Sequence, residues 1–287
     1  MMKIASLALC MMLLVSTVAV IDMTEIAEAR EQNITLNYEA FPGDFIKILS
    51  DDDFVIGTNG VRSGNGTAEN PWIIEGWAIE PTVYEDSIYI TGTTDHFIIR
   101  NNLIQNGQAN GIHLYEIASG TATVYNNTIT ANTEVALLCD GGVNDCQIFM
   151  NNISTSDFGV YMALSNGNVV WGNNLTQADI GLAIPAIYLE GCSFNILFGN
   201  NFVNNVLMGD AYDDTGNEWD EGSIGNFWDT YSGTDNDSDG IGDTSWDVPD
   251  FSQDRYPLMT PFNIADSTIN SSIDPLSSYW HSAYANI

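Results

Sequence analysis

Apolar residues in this chain come in short runs, broken at regular intervals by polar residues that favour bends. Five runs, Phe97 to Ile99, Ala122 to Tyr125, Ile148 to Met150, Val169 to Trp171 and Ile196 to Phe198, lead into pairs of adjacent asparagines. The pairs are Asn101-Asn102, Asn126-Asn127, Asn151-Asn152, Asn173-Asn174 and Asn200-Asn201, spaced by 25, 25, 22 and 27 residues. A second apolar stretch follows each, near Leu103, Ile129, Ile153, Leu175 and Phe202. Each repeat thus holds two or three stretches too short for helices, separated by Asn, Gly, Asp and Ser, which is a strand pattern. A repeat in the twenties predicts a solenoid.

Three short strands per turn describe a parallel β-helix. Asparagine suits the bend between strands because it tolerates left-handed backbone angles, and its amide both donates and accepts. Copies one coil apart are therefore expected to stack as a structural ladder through Asn101, Asn126, Asn151, Asn173 and Asn200. A leucine-rich repeat shares the period but needs a leucine consensus and a helix or turn on its convex side, and neither is visible.

Composition narrows the partners. The chain has 287 residues, 45% of them hydrophobic, which suffices for one sizeable core in a single solenoid domain. Its formal charge is -32, mainly because it has six Lys and Arg in all. Nucleic acid and anionic membrane surfaces are poor partners for such a surface, and divalent cations or basic partners suit it. Met1-Met2-Lys3, an apolar stretch to Ile21 and Ala27-Glu28-Ala29 read as an export signal over residues 1–29. The apolar run is also about long enough for a retained N-terminal anchor. No other span follows, so no further membrane insertion is expected. Export agrees with glycosylation sequons at Asn33, Asn65, Asn126, Asn152, Asn174, Asn236 and Asn270.

The remaining chain divides into an N-terminal cap with one irregular coil (30–81), regular coils (82–209), an Asp-rich C-terminal cap (210–262) and a polar tail (263–287). Two segments carry a family resemblance. The early one is Gly66-Thr67-Ala68-Glu69-Asn70-Pro71-Trp72-Ile73-Ile74-Glu75-Gly76-Trp77. The late one runs through Asn217-Glu218-Trp219-Asp220, Gly225-Asn226-Phe227-Trp228-Asp229 and Asp235 to Asp243, ending in Asp254-Arg255-Tyr256-Pro257-Leu258. With the repeats between them they resemble NosD-like β-helix proteins, especially secreted archaeal ones, over roughly residues 45–262. The resemblance implies an all-β, right-handed parallel β-helix of the kind found in carbohydrate-binding proteins and sugar hydrolases. It implies activity far less, because one fold hosts many functions.

The sharpest chemical motif is Asp235, Asp237, Asp239, Gly240 and Asp243. Carboxylates at alternate positions converge when the loop curls, and the Ile241 carbonyl can add an oxygen, so the loop suits structural calcium. Trp246 stands where an EF-hand has its bidentate Glu, leaving Asp247 as the nearest substitute. Copper is named in the family but is not expected here, since His96, His113 and His281 are far apart in sequence and no Met is close to His96 or His113. With Cys10 lost in the signal, Cys139 and Cys146 either close a small disulfide loop or, with Cys192, remain buried thiols. Enzyme chemistry has candidates in Arg100 as a lyase base and in the carboxylates Asp213-Asp214, Glu190, Asp157 and Asp179, with nothing to fix their geometry. Phe149, Trp171 and Phe198 fall in one row, which is core if it faces inward and a sugar-binding aromatic ladder if it faces outward.

The expectation is a secreted or cell-surface, non-catalytic protein, stabilised by calcium, that binds extracellular carbohydrate or a cell-surface protein. A polysaccharide lyase or glycoside hydrolase is the first alternative, and a surface-layer or sheath subunit the second.

Overall fold

The computed structural model describes residues 37–176, 185–205, 210–249 and 252–263. The signal, the polar tail and Asp179 lie outside them. The described elements are strands, apart from a single 3-10 turn at Asp51–Asp53. They form three long sheets, each visited once per coil. The first contains Trp72–Glu75, Phe97–Arg100, Ala122–Tyr125, Gln147–Phe149, Val169–Trp171 and Ile196–Phe198. The second runs from Trp77–Ile79 through Leu103–Gln105, Thr128–Thr130, Asn152–Ser154 and Asn174–Thr176 to Asn201–Val203 and Phe227–Trp228. The third contains Ile46–Ile48, Ile88–Thr91, Ile112–Tyr115, Val135–Asp140, Phe158–Ala163, Ile187–Glu190 and Ala211–Asp213. Neighbouring coils pair in parallel, so the molecule is a parallel β-solenoid.

Each sheet sends every second side chain inward, and in-register pairing stacks like on like. Ile74, Ile99, Val124, Ile148, Val170 and Leu197 make one fully buried row, and Ile79, Ile104, Ile129, Ile153, Leu175 and Phe202 make another. The third row, Ile90, Leu114, Cys139, Met162 and Leu189, is equally buried. Each large aliphatic in these rows contributes about 1.5–3 kcal/mol by leaving water. Cys139, Cys146 and Cys192 are free thiols built into this core.

The asparagine ladder sits at the bend between the first and second sheets, in a different phase from that expected. Its members are Asn102, Asn127, Asn151, Asn173, Asn200 and Asn226. From Asn127 onward each side-chain oxygen accepts from the backbone N–H and amide of the Asn one coil earlier, at 2.9–3.1 Å, while Asn102 Oδ1 accepts from the Trp77 N–H. Asn101 and Asn126 are not members. They are the left-handed residues just before it (φ 55° and 52°), a place that Met150, Gly172 and Gly199 occupy in later coils. The doublet therefore slips by one: its second Asn enters the ladder in the first two repeats, its first Asn in the next three. A further ladder at the entrance to the first sheet joins Asn168, Asn195 and Asn217 in the same way. Its sequence signal was an Asn directly before an apolar run, as in Asn168-Val169-Val170 and Asn195-Ile196-Leu197.

Candidate functional site

The same one-residue slip decides the aromatic row. Ile99 and Val124 pair with Ile148, Val170 and Leu197 in the core, whereas Phe149, Trp171 and Phe198 pair in the adjacent position with Tyr125. Their rings stack face to face from Tyr125 to Phe198, with centroids 4.9, 5.0 and 5.9 Å apart. Phe149, Trp171 and Phe198 are nevertheless only 1%, 5% and 3% exposed. The reading of these three as ligand-binding residues is corrected accordingly: they lie on the outer side of the strand by phase but are closed to solvent. Arg100 belongs to this row. It donates to Glu75 and to the Tyr125 hydroxyl, each at 2.7 Å, which occupies it as a structural cation rather than a base.

The accessible aromatic face lies on the third sheet. Lys47, Tyr89, His113, Leu138, Tyr161, Tyr188 and Tyr212 pair residue by residue along its outer side, all half-buried. Tyr188 and Tyr212 stack at 4.6 Å, Tyr161 meets Tyr188 edge-on at 5.2 Å, and Phe158 stacks on Tyr161 at 5.3 Å. Tyr89 packs against His113 at 4.9 Å. Carboxylates edge the strip. His113 Nδ1 lies 2.7 Å from Asp86 and Nε2 2.9 Å from Asp140, while Tyr161 donates to Glu190 and Tyr84 to Glu134. Burial acts to lower the His113 pKa, but the two carboxylates outweigh it and the net shift is upward. Burial, reinforced by Glu134, raises that of Asp157. The sequence carried a signal for this face in triplets such as Ile88-Tyr89-Ile90, Val160-Tyr161-Met162 and Ile187-Tyr188-Leu189, where an aromatic alternates with aliphatic residues.

The C-terminal acids separate into distinct roles. Asp213 is fully buried and accepts from Ser252 Oγ, the Trp219 indole, the Asn217 amide and the backbone N–H groups of Thr215, Gly216 and Asn217. Burial acts to raise its pKa, and these donors together lower it. Asp214 instead accepts from the Gly191 N–H at 2.8 Å, so the two form no acid–base pair. In the Asp-rich loop, Asp235, Asp237 and Asp239 bring ligand oxygens within 4.8 Å of one another. Asp243 is outside that group, with Oδ2 accepting from Asn236 and Thr234. Ile241 bridges to Leu258, and Asp247 lies in the Trp246–Val248 hairpin strand opposite Gln253, also outside the group. The six-residue ligand set expected from spacing is therefore corrected to a gathered triad, because the loop's own N–H groups and the hairpin draw the other residues elsewhere.

Fold and faces together define an acidic parallel β-solenoid with an aromatic strip edged by carboxylates. The chain belongs to the NosD family: residues 17–233 match the family described as periplasmic copper-binding protein (NosD). Over 94 residues it is 30% identical to the probable ABC transporter binding protein NosD of Pseudomonas aeruginosa. That stretch covers 33% of this chain and 21% of the relative, so the chain spans about a fifth of the relative's length.

Proposed function

We propose that this protein is exported and binds extracellular carbohydrate, without turning it over, along the outer face of the third sheet. The observation that carries the reading is the half-buried row of Tyr89, His113, Tyr161, Tyr188 and Tyr212, which stand at the coil repeat with Leu138 taking the one place between His113 and Tyr161. Neighbouring coils are about 4.8 Å apart, a spacing on the scale of successive sugar rings in an extended glycan. Tyrosine offers an apolar face with a polar tip, which matches the two sides of a pyranose. The family's periplasmic description supports export, and no helix among the described residues is long and apolar enough to cross a membrane.

The test is glycan binding by the full chain. Tyr188→Ala together with Tyr161→Ala is expected to weaken binding at least tenfold with little change in melting temperature. Neutral glycans and uronates should stay uncleaved. Binding that survives both substitutions, or turnover of any glycan, overturns the reading.

Copper, the metal in the family's description, does not suit the donors among the described residues. His113 has a carboxylate against each ring nitrogen. The three thiols lie in the core, where burial pushes Cys146 and Cys192 up to about 11 and Cys139 well upward, so none is a thiolate at neutral pH. Copper favours soft or imidazole donors in a cluster, and these residues do not gather into one.

Calcium at the Asp235, Asp237 and Asp239 triad is the metal we propose, in a structural role. Three carboxylates within 4.8 Å repel one another unless a cation lies between them. Calcium present at a hundred times its dissociation constant adds about 2.7 kcal/mol of stability. Chelation is therefore expected to lower the melting temperature by about 5–10 °C for a domain of this size. Asp237→Asn with Asp239→Asn should reproduce the drop. An unchanged melting temperature in chelator removes calcium from the proposal.

A further inference from the structure

Beside the last coil lies a cavity of about 500 Å³ that neither the tyrosine strip nor the Asp-rich loop uses. Its wall includes Asn205, Asp210, Trp228, Asp229, Trp246 and Asp247. The volume is in the range of small-molecule sites, about 300–1,000 Å³.

Asp210 is the unusual member. It is 7% exposed, and its Oδ1 accepts from the Asn205 amide at 3.1 Å. Among the described residues no donor reaches its Oδ2. Ser87 Oγ is the one buried side-chain polar atom without a partner among the described residues, so Asp210 Oδ2 is not sealed from solvent, and a ligand in the cavity that Asp210 lines can donate to it. Asp229 is close enough to act on Asp210 electrostatically, and its own position is set by the Asn204 N–H, which donates to its Oδ2 at 2.6 Å. Burial first, then the Asp229 charge, pushes Asp210 up to about 6, so it is an anion at pH 7.5. Asp247 adds a third carboxyl, and no Lys, Arg or His lines the cavity among the described residues. The site is therefore short of positive charge.

A bare metal ion does not answer that shortage. Among the described residues, the only three acidic ligand atoms gathered within 4.8 Å of one another are those of Asp235, Asp237 and Asp239. The other half of the wall is aromatic, with Trp246 stacked on Trp228 at 5.8 Å and half-buried itself. A ligand that satisfies both halves has a ring to pack on an indole and an ammonium to donate to the carboxylates. Resting on the carbohydrate reading above, we infer that this cavity binds a sugar ring bearing a free amine, with the ring against Trp246 and the ammonium between Asp210 and Asp229.

The experiment titrates the full chain at pH 7.5 with glucosamine, N-acetylglucosamine and glucose, read by calorimetry and tryptophan fluorescence. Glucosamine is expected to bind at least tenfold more tightly than either neutral sugar. Asp210→Asn and Asp229→Asn should each lower that affinity tenfold or more while leaving the melting temperature level or raised, since each removes one of two neighbouring charges. The Tyr161 and Tyr188 double variant should bind glucosamine as the parent does. Equal affinity for glucosamine and glucose overturns the assignment of the amine. Glucosamine binding that survives both Asp substitutions overturns the site. If longer glycans bind through the tyrosines while glucosamine does not bind, the cavity inference fails alone. If no saccharide binds at all, the carbohydrate reading fails with it.

Discussion

Asn173→Ala is expected to destabilise the fold by about 3–5 kcal/mol, because it leaves more than one buried group in a hydrogen-bond network unsatisfied. Asn173 Nδ2 donates to the carbonyls of Ile148 and Trp171 and to Asn200 Oδ1, while its own oxygen accepts the N–H and amide of Asn151. Truncation strands two buried donors on Asn151, at about 1–3 kcal/mol for each unsatisfied group. At roughly 2–4 °C per kcal/mol the melting temperature should fall by about 10 °C. Asn127→Ala should cost a similar amount, since it sits in the same ladder. Asn126→Gly is the contrast. Asn126 holds a left-handed bend that glycine accepts without strain, and its side chain makes one part-exposed bond to Asn101. That change should cost less than about 1 kcal/mol. Thermal melts of the three variants decide the matter: similar losses at positions 126 and 127 contradict the assigned phase of the ladder.

The second large effect is a rise in stability as pH falls from 7.5 to 5. Burial, acting ahead of the Asp229 and Asp220 charges respectively, pushes Asp210 and Asp254 up to about 6 from 3.8. Between those values the native state holds protons that the unfolded chain has released. Stability therefore falls as pH rises through that window. The rise from 3.8 to about 6 corresponds to about 3 kcal/mol for each group over the whole interval between those values, part of which falls between pH 7.5 and 5. His113 acts in the same direction. Its pKa is raised, so its contribution is complete below 6.5 and disappears as pH rises through the folded value. Asp213, Asp86 and Asp51 are lowered, so their contributions are present above 3.8 and are lost only under stronger acid. The expected optimum is near pH 4–5. Melting temperature measured from pH 4 to pH 8 tests this, with Asp210→Asn removing part of the slope. A flat profile between 5 and 7.5 contradicts it.

The repeat, the strand character and the parallel solenoid were legible because they depend on local chemistry. Short apolar runs cannot form helices long enough to bury themselves, and the asparagines that end them mark bends. The phase of each bend was not legible. Asn101-Asn102 and Asn151-Asn152 read alike, yet in the first pair the second residue enters the ladder and in the other pair the first does. What separates them is whether Met150 or a glycine can take the left-handed position instead of an asparagine, which depends on the register of the coils on either side.

Burial followed from that register. A slip of one residue moves a side chain to the opposite face of its strand, so Val124 is core while Phe149, in the corresponding place before its doublet, stacks on Tyr125. The tyrosine strip shows the reverse relation: its aliphatic–aromatic alternation is written in the chain, but only stacking of coils brings Tyr89 to Tyr212 into one row. The C-terminal acids show it most plainly. Their density was evident from composition, whereas tertiary contacts made Asp213 a saturated structural anion, gathered Asp235, Asp237 and Asp239, and left Asp210 buried beside a cavity. Sequence by itself determined which residues bend and which pair, because those preferences belong to single residues and short runs. The tertiary structure alone decided which side chains meet, because a carboxylate's role is set by the donors and charges around it: the bend after Asp213 closes on it together with the distant Ser252, and Asp210 takes its donor from Asn205.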